Sequence, residues 1–176
     1  MAKSVVISIR PEWVHRILSG EKTVEVRKTA PKIAKPFKCY IYETKGRSCP
    51  PWNGKDGSLL FRGRGAVVAE FVCNEIRCHT PDCLIINTDA ERTLAGSCLT
   101  RNEVVDYLRG NSDKLCDFYG WHISDLKIYD KPKKISEFNQ CHKCELHEGC
   151  KQHEYSCAGE YKLKRPPQSW CYVEGL

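Results

Sequence analysis

Within its first 28 residues the chain switches from strand-like to helix-like sequence and back, and this opening points to a mixed α+β fold. Val5-Val6-Ile7-Ser8-Ile9 is a short β-branched run, the composition of a buried strand. Pro11 follows at a first-turn position, where its missing N–H costs nothing, and Gly20 sits where a helix C-cap is wanted. Between them Trp13, Val14, Ile17 and Leu18 make one apolar stripe at helical spacing. The period then becomes two over residues 22–28. Val24 and Val26 take one face of that strand, and Thr23, Glu25 and Arg27 take the other.

Further strands are expected at 37–45, 65–76, 119–129 and 169–174, with Pro132 ending the third of these segments. Capping boxes at Thr88-x-x-Glu91 and Thr100-x-x-Glu103 mark helix starts, the second leading into Val104, Val105, Tyr107 and Leu108 and stopping at Gly110. Residues 46–64 are rich in Gly, Pro, Arg and Lys and read as a long basic loop. The expected order is β-α-β-β-loop-β-α-β-insert-β, a small, partly closed mixed β-barrel with two or three short helices. The 176 residues fit one domain over 1–176, with an insert at about 139–160 before the final strand.

Composition narrows the function classes. The chain is 41% apolar, which argues against disorder, and no apolar run approaches the ~18–20 residues of a membrane span. The start at Met1-Ala2-Lys3-Ser4 is not that of a signal peptide, so a cytoplasmic, reducing setting is expected. The net charge of +6 is uneven: residues 1–65 carry 14 Lys and Arg against 5 Asp and Glu. A basic half is either a solvated face or the footprint of a polyanion binder.

The segment from Gly20 to Arg27 carries the most chemistry. Glu25 and Arg27 are i, i+2 neighbours able to orient one another, and a lysine beside them makes a site with both signs of charge. Such a site holds a phosphate on Lys or Arg and accepts a base N–H or a hydroxyl proton at Glu. Lys22 has the valines' parity, so it joins the pair only if the chain is still turning after Gly20. The alternative is an exposed edge strand with an ordinary salt bridge. Tyr40, Tyr42 and Thr44 share a strand face, either as core or as a stacking surface for a base. Arg47, Lys55, Arg62 and Arg64 in the basic loop are candidates for phosphate contacts. His15 or His122 has the side chain to supply a proton at neutral pH.

Gly20-x-Lys22-x-x-Glu25-x-Arg27 resembles the G-x-K-x-x-E-x-R signature of the ASCH domain, a PUA-like β-barrel family. The resemblance spans about residues 4–130 and the last strand. Ile9-Arg10-Pro11, Tyr119-Gly120-Trp121-His122-Ile123 and Pro166 to Val173 look like small ASCH proteins common in phages and prophages. It implies an RNA-facing basic cleft floored by Lys22, Glu25 and Arg27, with RNA or a modified nucleotide as partner. One branch of the family is similar to an amidohydrolase of N4-acetylcytidine that uses a Lys, a Thr and a Glu. The Lys maps to Lys22, but this chain has Glu25 where that branch has Thr. Another branch resembles a single-strand ribonuclease, whose essential basic residue again suggests Lys22. As chemistry, Glu25 would act as general base toward a ribose 2′-OH, with Lys22 or Arg27 stabilising the phosphorane charge.

Twelve cysteines remain. Cys141, Cys144, Cys150 and Cys157 span 17 residues, and four thiolates at that spacing suit a structural Zn²⁺; a [4Fe–4S] cluster takes the same ligands. The other reading is a reduced Cys/His-rich loop. A metal-held insert would also make a protein-interaction surface, a third function class. Cys73, Cys78, His79 and Cys83 form a weaker second group, and the remaining thiols read as small core hydrophobes.

Overall fold

A computed structural model describes residues 3–48, 61–86, 88–110, 115–140 and 162–176. Its elements are β1 (Lys3–Ile9), α1 (Pro11–Leu18), β2 (Val24–Arg27), β3 (Phe37–Glu43), β4 (Gly46–Ser48), β5 (Phe61–Gly63), β6 (Ala66–Cys73) and β7 (Ile76–His79). They continue with α2 (Cys83–Ile86), α3 (Thr88–Ser97), α4 (Arg101–Arg109), β8 (Phe118–His122), β9 (Ser124–Lys133) and β10 (Trp170–Glu174). The α+β class read from the sequence is the class adopted. Among the described residues no helix is long and apolar enough to cross a membrane.

The chain divides into two compact units. The first comprises Met1–Val14, Lys38–Glu70 and Lys127–Leu176. It is built on a five-stranded sheet of order β10-β1-β3-β6-β9. β1 runs parallel to β3, with Val5 opposite Cys39, and antiparallel to β10, with Val5 opposite Tyr172. One face buries Val6, Tyr40, Tyr42, Val67, Phe138, Leu163 and Val173. Tyr40 meets Phe138 edge-on at 4.9 Å. Tyr42 is 3% exposed, so its ring is packing material in this core and presents no face to a base. That corrects the stacking role considered above.

The second unit comprises His15–Phe37 and Phe71–Leu126. It contains the antiparallel sheet β2-β8-β7, in which Val24 pairs with His122 and Glu25 with Trp121. Val26 and Phe118 pack against Leu84, Leu94, Val104 and Leu108 of the helices. The capping box at Thr100 forms as expected, with Glu103 N donating to Thr100 Oγ1 and Thr100 N donating to Glu103 Oε2. Val104 and Leu108 of α4, an i, i+4 pair, are buried, Val105 packs partly against the same core, and Tyr107 is left 40% exposed.

Three strand boundaries differ from expectation. The segment at 65–76 is two strands, β6 and β7, separated by Asn74 and Glu75, and that at 119–129 is β8 and β9, separated by Ile123. Pro132 lies inside β9 rather than ending it. β9 is an edge strand, where a residue without an N–H leaves no ladder bond unmade.

Candidate functional site

The turn from α1 into β2 sets the site. Gly20 adopts φ +81°, a left-handed conformation that glycine takes without Cβ strain, and its N–H donates to Ile17 O at 3.0 Å. Lys22 N then donates to Arg16 O at 2.9 Å, and Thr23 N to Gly96 O at 2.8 Å. The chain is therefore still turning at Lys22, and regular alternation begins only at Val24. A Cβ on Gly96 would stand 2.7 Å from Val24 Cγ2, so the absence of a side chain there lets α3 and this strand approach.

These constraints bring Lys22 to the pair. Its Nζ lies 3.3 Å from Glu25 Oε2, while Arg27 Nη2 lies 3.0 Å from Glu25 Oε1. One carboxylate is thus shared by two cations, and their side chains are 2% (Lys22), 9% (Glu25) and 11% (Arg27) exposed. The Lys22 ammonium also donates to Ser97 O at 2.7 Å. Ser97 is the last residue of α3, so Lys22 satisfies a carbonyl at the negative end of that helix. Lys22 is thus a buried brace between a helix end and Glu25.

Burial holds the Lys22 ammonium below the ordinary lysine range, and the charge and hydrogen bond of Glu25 pull it partly back. Between the folded-state pKa and 10.5, the unfolded chain binds more protons at this residue than the folded one. The Lys22 contribution to stability is therefore complete above 10.5 and is lost as pH falls through the folded value. We expect the urea midpoint of the wild-type chain relative to Lys22→Met to rise with pH toward that window. A pH-independent difference between the two would show Lys22 to be solvated.

Two residues beside the set were not singled out from the sequence. Lys28, next after Arg27, donates from Nζ to Leu108 O at 3.1 Å and lies 5.2 Å from the ring centroid of Tyr107. Burial raises the Tyr107 phenol, and Arg27 pulls it back. Lys28 was legible as the next residue of a basic run. Tyr107 was hidden in what reads as an apolar helix stripe.

Within the same unit, His122 does not join the set. His122 pairs with Val24, so it occupies the valine face of the sheet, opposite to Glu25, and its Nδ1 is 2.8 Å from Asn74 Oδ1. Arg47, Arg62 and Arg64 belong to the first unit. The register places Arg47 opposite Arg62 across β4 and β5. Arg62 is exposed, and Arg64 donates its N–H to Glu43 Oε2 at 3.0 Å. His15 is exposed on α1.

Cys141, Cys144, Cys150 and Cys157 lie outside the described residues, as does Lys55. Among the described residues no cluster of metal ligands occurs. Cys73, Cys78, His79 and Cys83 do not form one. Cys73 is fully buried with its thiol pushed up to about 11, and buried His79 bonds Thr93 Oγ1 at 2.9 Å through Nε2.

Comparison with known proteins agrees with this architecture. The crystal structure of ASCH from Zymomonas mobilis has 20% sequence identity and a TM-score of 0.59, covering 97% of this chain and 87% of its own. A tyrosine-to-phenylalanine variant of the same Zymomonas mobilis protein has 20% identity and a TM-score of 0.60, with 98% and 91% covered. A serine-to-alanine variant has 19% identity and a TM-score of 0.59, with 97% and 88% covered. At these identities the likeness is one of fold. No curated protein matches the sequence. The ASCH domain profile matches residues 7–108, which include the end of β1, α1, the whole Lys22–Glu25–Arg27 set and all of α4 but Arg109, and the chain belongs to the ASCH domain family.

Proposed function

We propose that the chain is an RNA- or nucleotide-binding module whose anion-accepting element is the Lys22–Glu25–Arg27 set. The observation that carries this reading is the grouping of three basic residues on and beside one carboxylate. Lys22 and Arg27 share the single carboxylate of Glu25, and Lys28 follows directly. Guanidinium and ammonium donors gathered at one place suit a phosphate, which accepts charge-assisted hydrogen bonds from both. Arg27 and Lys28 would meet phosphate. Glu25 accepts a base N–H, and Lys22 holds Glu25 in position from below.

Fluorescence anisotropy of labelled single-stranded RNA across a salt series tests this. Affinity should fall as salt rises, and Arg27→Ala should reduce the log–log slope by about one. Affinity that is insensitive to salt, or unchanged in Arg27→Ala, would sink the reading.

A hydrolytic function has one observation in its favour: the depressed proton affinity of Lys22, next to a carboxylate, suits acid–base work. Product from single-stranded RNA or N4-acetylcytidine that disappears in Lys22→Ala would establish it. The cysteines at 141, 144, 150 and 157 would hold zinc, and metal analysis of the purified chain is the direct check.

A further inference from the structure

We propose that Tyr107 is the stacking wall of the Arg27 end of this site, so that the anion bound there is carried on an aromatic base. The inference rests on the anion-binding reading above and names its substrate class. Inorganic phosphate or a sugar phosphate would satisfy the cations equally well. It would have no use for an exposed aromatic ring.

Three observations place the ring. Tyr107 is the one aromatic among the large hydrophobic side chains left exposed in the described residues; the other two are Ile128 and Leu176. Its helix neighbours Val104 and Leu108 are 0% and 1% exposed, so α4 is firmly seated and its exposed ring is displayed from a rigid element. Lys28 bonds the last turn of α4 at Leu108 O and lies over the Tyr107 ring, tying the ring to the strand end that bears Arg27.

A tyrosine in this position has a chemical use that an aliphatic residue lacks. Every nucleobase presents a π-face, and stacking on an aromatic side chain is tolerant of base identity. An ammonium against the ring adds a cation for phosphate within one side-chain length of the stack. Ring, ammonium, guanidinium and carboxylate thus supply separate partners for base face, phosphate and base edge. The bland role, a ring that shields the stem of Lys28, predicts no preference among ligands.

The test compares a labelled single-stranded RNA heptamer with an abasic oligomer of equal length and charge, by anisotropy at one salt concentration. Wild type should bind the base-bearing oligomer tighter. Tyr107→Ala should weaken that binding on the order of tenfold or more and leave the abasic oligomer unchanged. Tyr107→Phe should retain wild-type preference, and Tyr107→Leu, which keeps helix propensity and bulk, should behave as Tyr107→Ala. Equal wild-type affinity for the two oligomers would overturn the inference and leave the anion site standing. So would a loss shared equally by both oligomers in Tyr107→Ala, the mark of a structural ring. Absence of wild-type binding to either oligomer would overturn the anion-binding reading and this inference with it.

Discussion

Glu25→Ala is expected to destabilise the chain by about 3–5 kcal/mol, the scale for removing one partner of a buried ion pair. The carboxylate contacts both Lys22 Nζ at 3.3 Å and Arg27 Nη2 at 3.0 Å. Without it, two cations stand in an environment that hydrates neither well. Lys22 has an escape, since its proton affinity is already depressed; Arg27 has none, because a guanidinium does not deprotonate. Urea unfolding checks the number. Adding Lys22→Met to Glu25→Ala should recover part of the loss, and the double-mutant cycle reads the coupling directly. A cost below about 1 kcal/mol would mean that the pair behaves like a surface bridge.

Much of this arrangement was legible locally. The alternation Val24, Glu25, Val26, Arg27 sorts the two faces of β2 without any tertiary information, and Gly20 marks the turn that precedes it. Whether Lys22 joins the acid depended on where regular strand begins, and the backbone bond from Lys22 N to Arg16 O settles that. Its second partner is a carbonyl 75 residues away. No pattern within a window of the sequence announces such a contact.

The misplaced candidates fail for the same physical reason. His122 and Glu25 both lie on short strands of strong β character. Which face they share is decided by inter-strand register, and Val24 rather than Glu25 is opposite His122. Tyr42 shares its strand with Tyr40, and parity alone cannot say which face of β3 is covered; here both are, Tyr40 and Tyr42 on one and Cys39 and Ile41 on the other. The strand breaks at Asn74-Glu75 and at Ile123 fall where the chain leaves one sheet for another, so continuous β propensity runs through points where pairing ends. Pro132 misled in the opposite direction, because an edge strand tolerates what a central one does not.

Trp121→Ala should be as costly as loss of the acid, about 3–5 kcal/mol, for a different reason. Trp121 is fully buried, meets Phe37 edge-on at 6.1 Å and lies directly across from Glu25 in the β2–β8 register. Directly opposed residues of an antiparallel pair project to the same face, so the indole stands on the side that carries Glu25 and Arg27. Truncation opens a cavity beside the ion pair and admits water to it. The surrounding apolar contacts are lost, and the charges gain solvent that the folded chain otherwise excludes. Trp121→Phe should cost less, since it retains an aromatic partner for Phe37. Trp170→Ala, at a partly exposed position on edge strand β10, should stay within about 1 kcal/mol, and the ordering of the three midpoints in urea is the check. A Trp121→Ala midpoint no lower than that of Trp170→Ala would show that the indole is dispensable to this face, and that Glu25 and Arg27 are held by their backbone alone.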